Sequence, residues 1–183
     1  MPRIIFWSLL TLVMIFFIAR SCGLTPEQVE GQILLADLNT EEGAEFRRQN
    51  AARPGVMSLP SGLQVEVLEA GDGEIPLADD WVQLHYRGWH IDGREFDNSR
   101  RRGEVATVTV SSTIPGWQAA LASMPVGSSV RLVVPPDLAY GRPGAGIIGP
   151  EETLVFEIEL LAILPPDAPI DVPEWEKPVP NLR

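Results

Sequence analysis

Hydrophobic and polar side chains alternate in several short stretches in the middle of the chain. A period of two is typical of strands that bury one face and expose the other. The alternation is found at 63–68, 82–87, 105–110, 130–134 and 154–164. Asp92-Gly93, soon after the second stretch, is typical of a hairpin turn. The pattern predicts an antiparallel sheet of five to six strands.

One stretch in the same region has the period of a helix instead. Its apolar side chains recur at intervals of three and four residues: Ile114, Trp117, Leu121 and Met124. Pro125 and Gly127 end it. We therefore predict an α+β fold in which a curled antiparallel sheet wraps over one short α-helix. Residues 59–164 are expected to form this single domain.

Residues 25–50 have the features of a separate N-terminal helix. Thr25 is a suitable N-cap, Pro26 takes the first helical position, and Gln28 stands at the capping-box spacing. The apolar side chains form only a narrow stripe: Val29, Ile33, Leu34 and Leu38. We predict that 22–58 is a helical lead-in, interrupted or restarted around 41–46, that docks weakly or serves as a spacer.

The beginning of the chain differs in character from the rest. Residues 4–19 carry no charge, and as a helix they would cover about 24 Å, against ~30 Å for the hydrocarbon core of a bilayer. Arg3 supplies the positive flank of a signal or anchor segment. We predict that 1–21 directs the chain to a membrane. An uncleaved anchor is favoured over cleavage before Cys22 and over lipidation of Cys22, and in each case the remainder lies outside the cytoplasm, in the periplasmic space of a bacterial envelope.

Prolines concentrate at the other end of the sequence. Six of the 17 prolines fall within 165–183. Each proline lacks a backbone N–H, so neither a helix nor a strand tolerates this spacing. We predict a Pro-rich extended tail over 165–183.

The charge balance limits the classes of partner. The chain has 14 basic and 25 acidic residues, a formal net charge of −11. Arg3 and Arg20 are the only charged residues of 1–23, so 12 basic and 25 acidic residues remain, which gives −13 for the rest. This acidic surplus argues against nucleic-acid binding, which needs Lys and Arg facing phosphates. Within so acidic a segment, Arg100-Arg101-Arg102 is expected to pair with local acids.

Residues that commonly form catalytic or metal sites are scarce. Cys22 is the only cysteine, which excludes an intramolecular disulfide, a cysteine nucleophile in the folded part and a zinc cluster. The two histidines, His85 and His90, have no carboxylate at metal-ligand spacing, and His85 alternates within a predicted strand. We predict no metal and no cofactor.

Aromatic and aliphatic residues cluster instead around unusual turns. Five motifs follow one another: VQLHYRGW at 82–89, DGREFDNS at 92–99, IPGW at 114–117, LAYG at 138–141 and TLVFEIELL at 153–161. Together they closely resemble the FK506-binding-protein family of peptidyl-prolyl cis-trans isomerases, over residues 59–164. The lead-in at 45–46 and 60–64 is similar to the macrophage-infectivity-potentiator branch, whose members are envelope isomerases that are often dimeric through an N-terminal helical region. That region is much shorter here.

The resemblance implies an enzyme that accelerates rotation about X–Pro bonds in exported or envelope proteins, with proline-containing polypeptides as substrates. The barrier of ~20 kcal/mol comes from amide resonance, and no bond is broken in the rotation. A dry aromatic pocket that favours the twisted amide is therefore sufficient, without a nucleophile, general base or metal. A non-catalytic binding or holdase module is the alternative function. FK506-like macrolides are candidate inhibitors.

By resemblance, four side chains form a socket for the prolyl ring. Trp117 is its floor, and the walls are Tyr86, Phe96 and Phe156. The same four side chains could simply be core residues of a half-buried sheet, which is the usual role of aromatics there.

The resemblance also implies a polar rim and a flap. Asp97 lies beside the substrate carbonyl, while the Ile114 backbone N–H and the Tyr140 hydroxyl donate hydrogen bonds. The other substrate-binding positions are Arg102 against Tyr86 and Asp97, Thr113 beside Ile114, and Ile147 and Ile148 on a flap over the pocket. For Asp97, a turn-capping role before Asn98-Ser99 is the alternative.

Three positions depart from the family pattern. Ala106 stands where an aromatic residue is common, Gly149 replaces the first of two prolines in the flap, and Thr113 takes an aliphatic position. We expect these changes to alter inhibitor affinity and substrate preference more than the isomerase core.

Overall fold

A computed structural model describes residues 26–165 of the chain. In this range the α-helices are Pro26–Ala51 (α1), Ser99–Arg102 (α2) and Pro115–Leu121 (α3). The strands are Val56–Ser58 (β1), Gln64–Glu69 (β2), Trp81–His90 (β3), Glu95–Asn98 (β4), Ala106–Thr109 (β5), Ser129–Val134 (β6) and Leu154–Ile163 (β7). Turns of 3-10 helix at Val110–Ser112 and Pro136–Leu138 precede α3 and follow β6.

All described strands belong to one antiparallel sheet. Its order is β1-β2-β6-β7-β3-β4, and β5 pairs with β3 beside β4. The long strands β3 and β7 run through the middle, with Leu84 opposite Leu160 and Gly88 opposite Phe156. The N-terminal half of β3 pairs with β5 and its C-terminal half with β4, so both short strands lie along one edge of β3. The predicted fold class is confirmed.

Two strands of the sheet, β1 and β4, were not among the strands that the alternation predicts. β1 has three residues, and β4 (EFDN) shows no alternation of burial, since all four of its residues are half-buried. Both are strands because they pair with a neighbour, β1 with β2 and β4 with β3, and their own sequences show no strand pattern.

The core lies between the sheet and α3. The inward residues of the sheet include Leu84, Leu132 and Ile158, and α3 contributes Trp117 and Leu121, all of them buried. Complete burial of one such aliphatic side chain stabilises the fold by about 1.5–3 kcal/mol. The predicted periodicity of α3 therefore describes the face that packs on the sheet. Met124, just past the end of the helix, is also buried.

Helix α1 docks through a different face from the predicted one. It is continuous from Pro26 to Ala51, with no break around 41–46. The predicted stripe is exposed, Leu34 at 71%. The buried positions of α1 are instead Ala36, Gly43 and Asn50. Small and polar residues allow the helix to approach closely and to form hydrogen bonds, a mode of docking that a hydrophobic pattern does not reveal.

Several predictions concern residues outside the described range. The anchor or signal segment 1–21, Cys22 and the tail from residue 166 onward all lie beyond it. Between residues 26 and 165, no helix combines the length and the apolar character needed to cross a bilayer.

Candidate functional site

A cavity of about 1000 Å³ opens between α3, the β4–β5 edge of the sheet and the segment that carries Tyr140. Nine of the predicted site residues line it: Tyr86, Phe96, Asp97, Arg102, Thr113, Ile114, Trp117, Tyr140 and Phe156. Residues from five separate elements and two loops thus meet in one place. The cavity continues past Glu104 and Val105, just before β5, and along β5 as far as Val108.

Four aromatic rings form the inner wall as a chain of edge-to-face contacts. The ring centroids of Tyr86 and Trp117 are 5.2 Å apart at an interplanar angle of 72°, and those of Trp117 and Phe156 are 5.3 Å apart at 89°. Phe156 contacts Phe96 in turn, at 5.7 Å and 84°. Such contacts suit the ring quadrupoles and add about 0.5–1.5 kcal/mol per pair beyond burial. The rings therefore form a stiff apolar socket.

Gly88 makes room for this socket. A Cβ atom at this position would lie 2.6 Å from Phe96 Cε2 and 2.9 Å from Phe156 Cε1. The register places Gly88 directly opposite Phe156. Gly88 was not among the predicted site residues, although a glycine within a strand pattern is itself a sign of close approach.

The start of α3 places the floor of the socket. Pro115 is its first residue and Ile114 its N-cap, and the Trp117 backbone N–H donates to the Ile114 carbonyl at 2.9 Å. Gly116 lets the helix approach the sheet, since a Cβ there would lie 2.6 Å from Val134 Cγ1. Backbone N–H groups at a helix start lack intrahelical acceptors, so Ile114 stands where a bound peptide can meet free donors.

A polar cluster of Tyr86, Asp97 and Arg102 forms one rim. The Tyr86 hydroxyl donates to Asp97 Oδ2, and Arg102 pairs with Asp97 Oδ1. Arg102 also donates to the Tyr86 hydroxyl at 3.0 Å, and its guanidinium carbon lies 5.5 Å from the centre of the Tyr86 ring. The hydrogen bond to Tyr86 raises the pKa of Arg102, and partial burial opposes this rise. The Asp97 carboxylate is therefore held in one orientation by a permanent cation and a phenol.

The capping role considered for Asp97 belongs mainly to its neighbour. The Asn98 side chain accepts from the backbone N–H groups of Arg100 and Arg101 and so caps α2. Asp97 Oδ1 accepts from the Asn98 backbone N–H at 2.8 Å. This bond still leaves the carboxylate on the cavity wall.

Tyr140 lies on the opposite rim, where it is 36% exposed. Desolvation by burial raises the pKa of its phenol. A raised pKa keeps the hydroxyl protonated throughout the physiological range, so it remains a hydrogen-bond donor.

Two known protein families match successive parts of the chain. The family described as FKBP-type peptidyl-prolyl cis-trans isomerase matches residues 73–161, and the domain amino-terminal to FKBP-type peptidyl-prolyl isomerase matches residues 25–67. A solved peptidyl-prolyl cis-trans isomerase from Pseudomonas syringae is 39% identical, with a TM-score of 0.65, and the match covers 70% of this chain and 95% of that one. This chain belongs to the FKBP-type peptidyl-prolyl cis-trans isomerase family.

Other FKBP-type relatives match a similar or larger share of the chain. The crystal structure of FkpA from Escherichia coli has a TM-score of 0.75 at 38% identity, over 85% of this chain and 72% of that chain. The FKBP-type 22 kDa isomerase of Escherichia coli K12 is 52% identical over 124 residues, which are 67% of this chain and 60% of the relative. The outer membrane protein MIP of Legionella longbeachae is 46% identical over 129 residues, or 70% and 55%. The aligned part thus spans 55–60% of the length of these two curated relatives.

The two flap residues expected over the FKBP-type pocket lie away from the cavity wall. Ile148 is buried in the core cluster, and Ile147 is 73% exposed. The backbone groups of Ala145 and Ile148 hydrogen-bond to each other at 2.9 Å in both directions, which closes a tight turn between them. Ile148 therefore fastens the flap to the core, and Ile147 is the one that faces solvent.

The cavity wall includes further residues in and beside β5, of which only Ala106 was singled out in the sequence. Ala106 lines the cavity where the family pattern has an aromatic residue, together with Val105 and Val108. Their alternation predicted a strand, but a strand pattern cannot show that this strand borders a cavity.

The remaining polar residues singled out in the sequence have structural partners. Each residue of Arg100-Arg101-Arg102 pairs with an acid, Glu159, Glu95 and Asp97 respectively, as expected. His85 Nδ1 lies 3.0 Å from Ser99 Oγ, and His90 Nδ1 lies 2.6 Å from Glu152 Oε2. Over residues 26–165, no three His, Cys, Asp or Glu side chains are grouped so that they could hold a metal ion.

Proposed function

We propose that this chain is a peptidyl-prolyl cis-trans isomerase that accelerates X–Pro bond rotation in exported or envelope proteins. The observation that carries the proposal is the aromatic socket bounded by the Tyr86–Asp97–Arg102 cluster on one side and Tyr140 on the other. The names of the relatives in the family support the same activity.

The chemistry needs a binding surface that fits the twisted amide better than either planar isomer. Planarity of the X–Pro amide is maintained by resonance, which is lost at the top of the barrier of ~20 kcal/mol. The twisted form has a less polar carbonyl, so it is stabilised relative to the planar forms by an apolar, water-poor surface. In this proposal the prolyl ring rests on the indole of Trp117, enclosed by Tyr86, Phe96 and Phe156.

Polar groups at the rim hold the peptide while the amide rotates. The Ile114 N–H and the Tyr140 hydroxyl donate to the peptide backbone, and the oriented Asp97 carboxylate lies beside the rotating carbonyl. Arg102 and Thr113 contribute to the same binding surface. Neither a cofactor nor a metal takes part in any of these steps.

A protease-coupled assay with a proline peptide tests the proposal. The full chain at micromolar concentration should accelerate the cis-to-trans phase well above the uncatalysed rate, which takes tens to hundreds of seconds. Binding of a prolyl peptide measured in parallel separates the two functions. Intact binding with no gain in rate would mean a binding or holdase module instead of an enzyme.

We also propose an envelope location and a division of the chain. Residues 1–21 serve as membrane anchor or signal, 22–58 as helical lead-in, 59–164 as isomerase domain and 165–183 as Pro-rich tail. The uncharged run 4–19 and the name of the Legionella longbeachae relative, an outer membrane protein, support this reading. The intact mass of the membrane-extracted protein tests it, because retention of 1–21, cleavage before Cys22 and lipidation of Cys22 give three different masses.

Macrolide binding is proposed for the same cavity. The apolar aromatic socket supports macrolide binding. The small side chain of Ala106, which lines the same cavity, offers a bound macrolide less apolar contact than an aromatic residue would. An FK506-like macrolide should compete with the prolyl peptide, and Ala106→Phe should tighten its binding several-fold by restoring apolar contact area. Competition that is absent in both proteins would remove macrolides from the list of ligands.

A further inference from the structure

The segment after Tyr140 forms a loop, residues 141–153, which we call the flap loop. Its two ends are joined by one backbone hydrogen bond, from the Glu151 N–H to the Gly141 carbonyl at 3.0 Å. Gly141 is the immediate neighbour of Tyr140 on the cavity rim. Whatever fixes Glu151 therefore also fixes the backbone beside Tyr140.

Glu151 has an unusual backbone conformation. Its φ of +54° is the only positive value for a non-glycine residue within residues 26–165. A side chain disfavours this region, so the conformation persists only where the surroundings impose it. The residue before it, Pro150, accepts a hydrogen bond at its carbonyl from Asn39 Nδ2 of α1, at 2.7 Å. The peptide group between Pro150 and Glu151 is thus held on one side by α1 and on the other by Gly141.

Helix α1 contacts the C-terminal end of the flap loop in further ways. Arg47 donates to Thr153 Oγ1, and a Cβ atom at Gly43 would lie 2.4 Å from the same oxygen. Burial lowers the pKa of Arg47, and the charge of nearby Asp137, just before Tyr140 in the chain, opposes this. Helix α1 is therefore attached to the flap loop at Thr153 as well as at Pro150.

A second, separate attachment holds the end of α1 to β2. Asn50 donates to Gln64 Oε1 at 2.8 Å, and Gln64 Nε2 donates to the Arg47 carbonyl at 2.8 Å. The side-chain hydrogen bonds of Asn50 itself go to Gln64 and Arg53, outside the flap loop, and only Arg47 is shared with the contact to Thr153. This attachment provides a control asparagine on the same helix, with a comparable hydrogen bond that leads away from the cavity.

We propose that Asn39 is a positioning residue for Tyr140. Its amide fixes the Pro150 carbonyl, this holds Glu151 in its strained conformation, and the Glu151 N–H then fixes Gly141 and the Tyr140 side chain at the rim. The N-terminal helix is accordingly part of the site that binds the proline peptide, in addition to connecting it to the rest of the chain. The kinetic part of this inference rests on the proposed isomerase function, whereas the structural part does not.

Fluorine NMR of the full chain labelled with fluorotyrosine tests the structural part. The sequence contains only two tyrosines, Tyr86 and Tyr140, so two signals are expected, and Tyr140→Phe assigns them. Asn39→Ala, and the isosteric Asn39→Asp that lacks the donor, should shift or broaden the Tyr140 signal and leave the Tyr86 signal in place. Asn50→Ala should leave both signals unchanged. An unchanged Tyr140 signal in both Asn39 variants would overturn the proposal.

A double-mutant cycle measured in kcat/KM tests the consequence for isomerase activity. Asn39→Ala should lower kcat/KM about threefold to tenfold, the range expected for one lost positioning hydrogen bond, and Asn50→Ala should lower it less than twofold. In a chain that already carries Tyr140→Phe, adding Asn39→Ala should lower kcat/KM little further, because Asn39 is proposed to act through the Tyr140 hydroxyl. Fully additive losses would contradict the proposal. If the parent chain showed no isomerase activity, the proposed function would fail, and the fluorine signals would still decide on Asn39.

Discussion

Helices α3 and α1 pack against the rest of the domain through side chains of opposite character. The seven-residue α3 buries large apolar groups, Trp117 and Leu121, against the sheet. The 26-residue α1 buries Ala36, Gly43 and Asn50, while its leucines face outward. Helix α3 is held by the removal of apolar surface from water, whereas α1 is held by close approach and hydrogen bonds.

Because they pack differently, the two helices contribute to different properties of the domain. Burial of apolar surface is strong but non-directional, so α3 contributes more to the stability of the domain than α1 does. Hydrogen bonds from Asn39 and Arg47 are individually modest but directional, so α1 fixes the geometry of the flap loop. Substitutions on the two helices should consequently change different measured quantities.

The largest expected effect comes from truncating a leucine on each helix. Leu121→Ala should reduce the free energy of unfolding by about 2–5 kcal/mol, since it removes a fully buried side chain and leaves a cavity. Leu34→Ala, at a position 71% exposed, should change it by less than about 0.5 kcal/mol. Urea denaturation of both variants gives the comparison. If both variants lost a similar free energy of unfolding, Leu34 would have to be buried, and the contrast between the packing of α3 and that of α1 would be wrong.

A pair of glycines within α1 tests its close approach. Gly31 has no heavy atom within 4 Å of an added Cβ, whereas an added Cβ at Gly43 would meet Thr153 Oγ1 at 2.4 Å. Gly31→Ala should therefore stabilise the protein by about 0.5–1 kcal/mol through helix propensity. Gly43→Ala should destabilise it by about 1–3 kcal/mol through overpacking, in spite of the same propensity gain. Thermal unfolding of both variants shows whether each substitution stabilises or destabilises the protein. A stabilising effect of Gly43→Ala would refute the tight contact between Gly43 and Thr153.

Hydrophobic periodicity predicted α3 and the long strands because their buried faces are mostly apolar. It predicted the wrong docking face for α1, because the buried positions there are an alanine, a glycine and an amide. It also gave no indication of β1 and β4, which are short and are specified by their pairing partners. The fold class was thus predictable, but the attachment of the helix to the flap loop was not, since it depends on contacts between residues more than 100 positions apart, such as Asn39 and Pro150.

The same distinction holds within the site. The socket residues were recognisable because their motifs resemble those of a known family, and the structure places them around one cavity. The sequence did not indicate that Gly88 clears space for two of the rings, or that Ile148 turns into the core. Both features depend on the three-dimensional register of the sheet and on the path of the flap loop.

The smallest expected effect concerns the pH dependence of stability. Burial raises the pKa of Tyr140 above its ordinary value near 10. A group whose pKa is raised in the folded state stabilises the fold below its unfolded pKa, and this contribution is lost as the pH rises through the folded pKa. The free energy of unfolding should therefore fall above pH ~10, and Tyr140→Phe should remove a small part of that fall, because the Tyr140 side chain is partly exposed. Urea titrations at pH 8 and pH 11 measure the difference between the two proteins.

In the proposed function, the indole of Trp117 is the floor of a socket that accelerates X–Pro rotation. The most direct test measures kcat/KM with a proline peptide for Trp117→Ala and for Trp89→Ala. Trp89 lies on β3, where its ring contacts the guanidinium groups of Arg87 and Arg131, and it is not part of the cavity wall. We predict a loss of at least about tenfold for Trp117→Ala, with circular dichroism confirming that both variants are folded, and a change of less than about twofold for Trp89→Ala. Equal activity of the two folded variants would contradict the account.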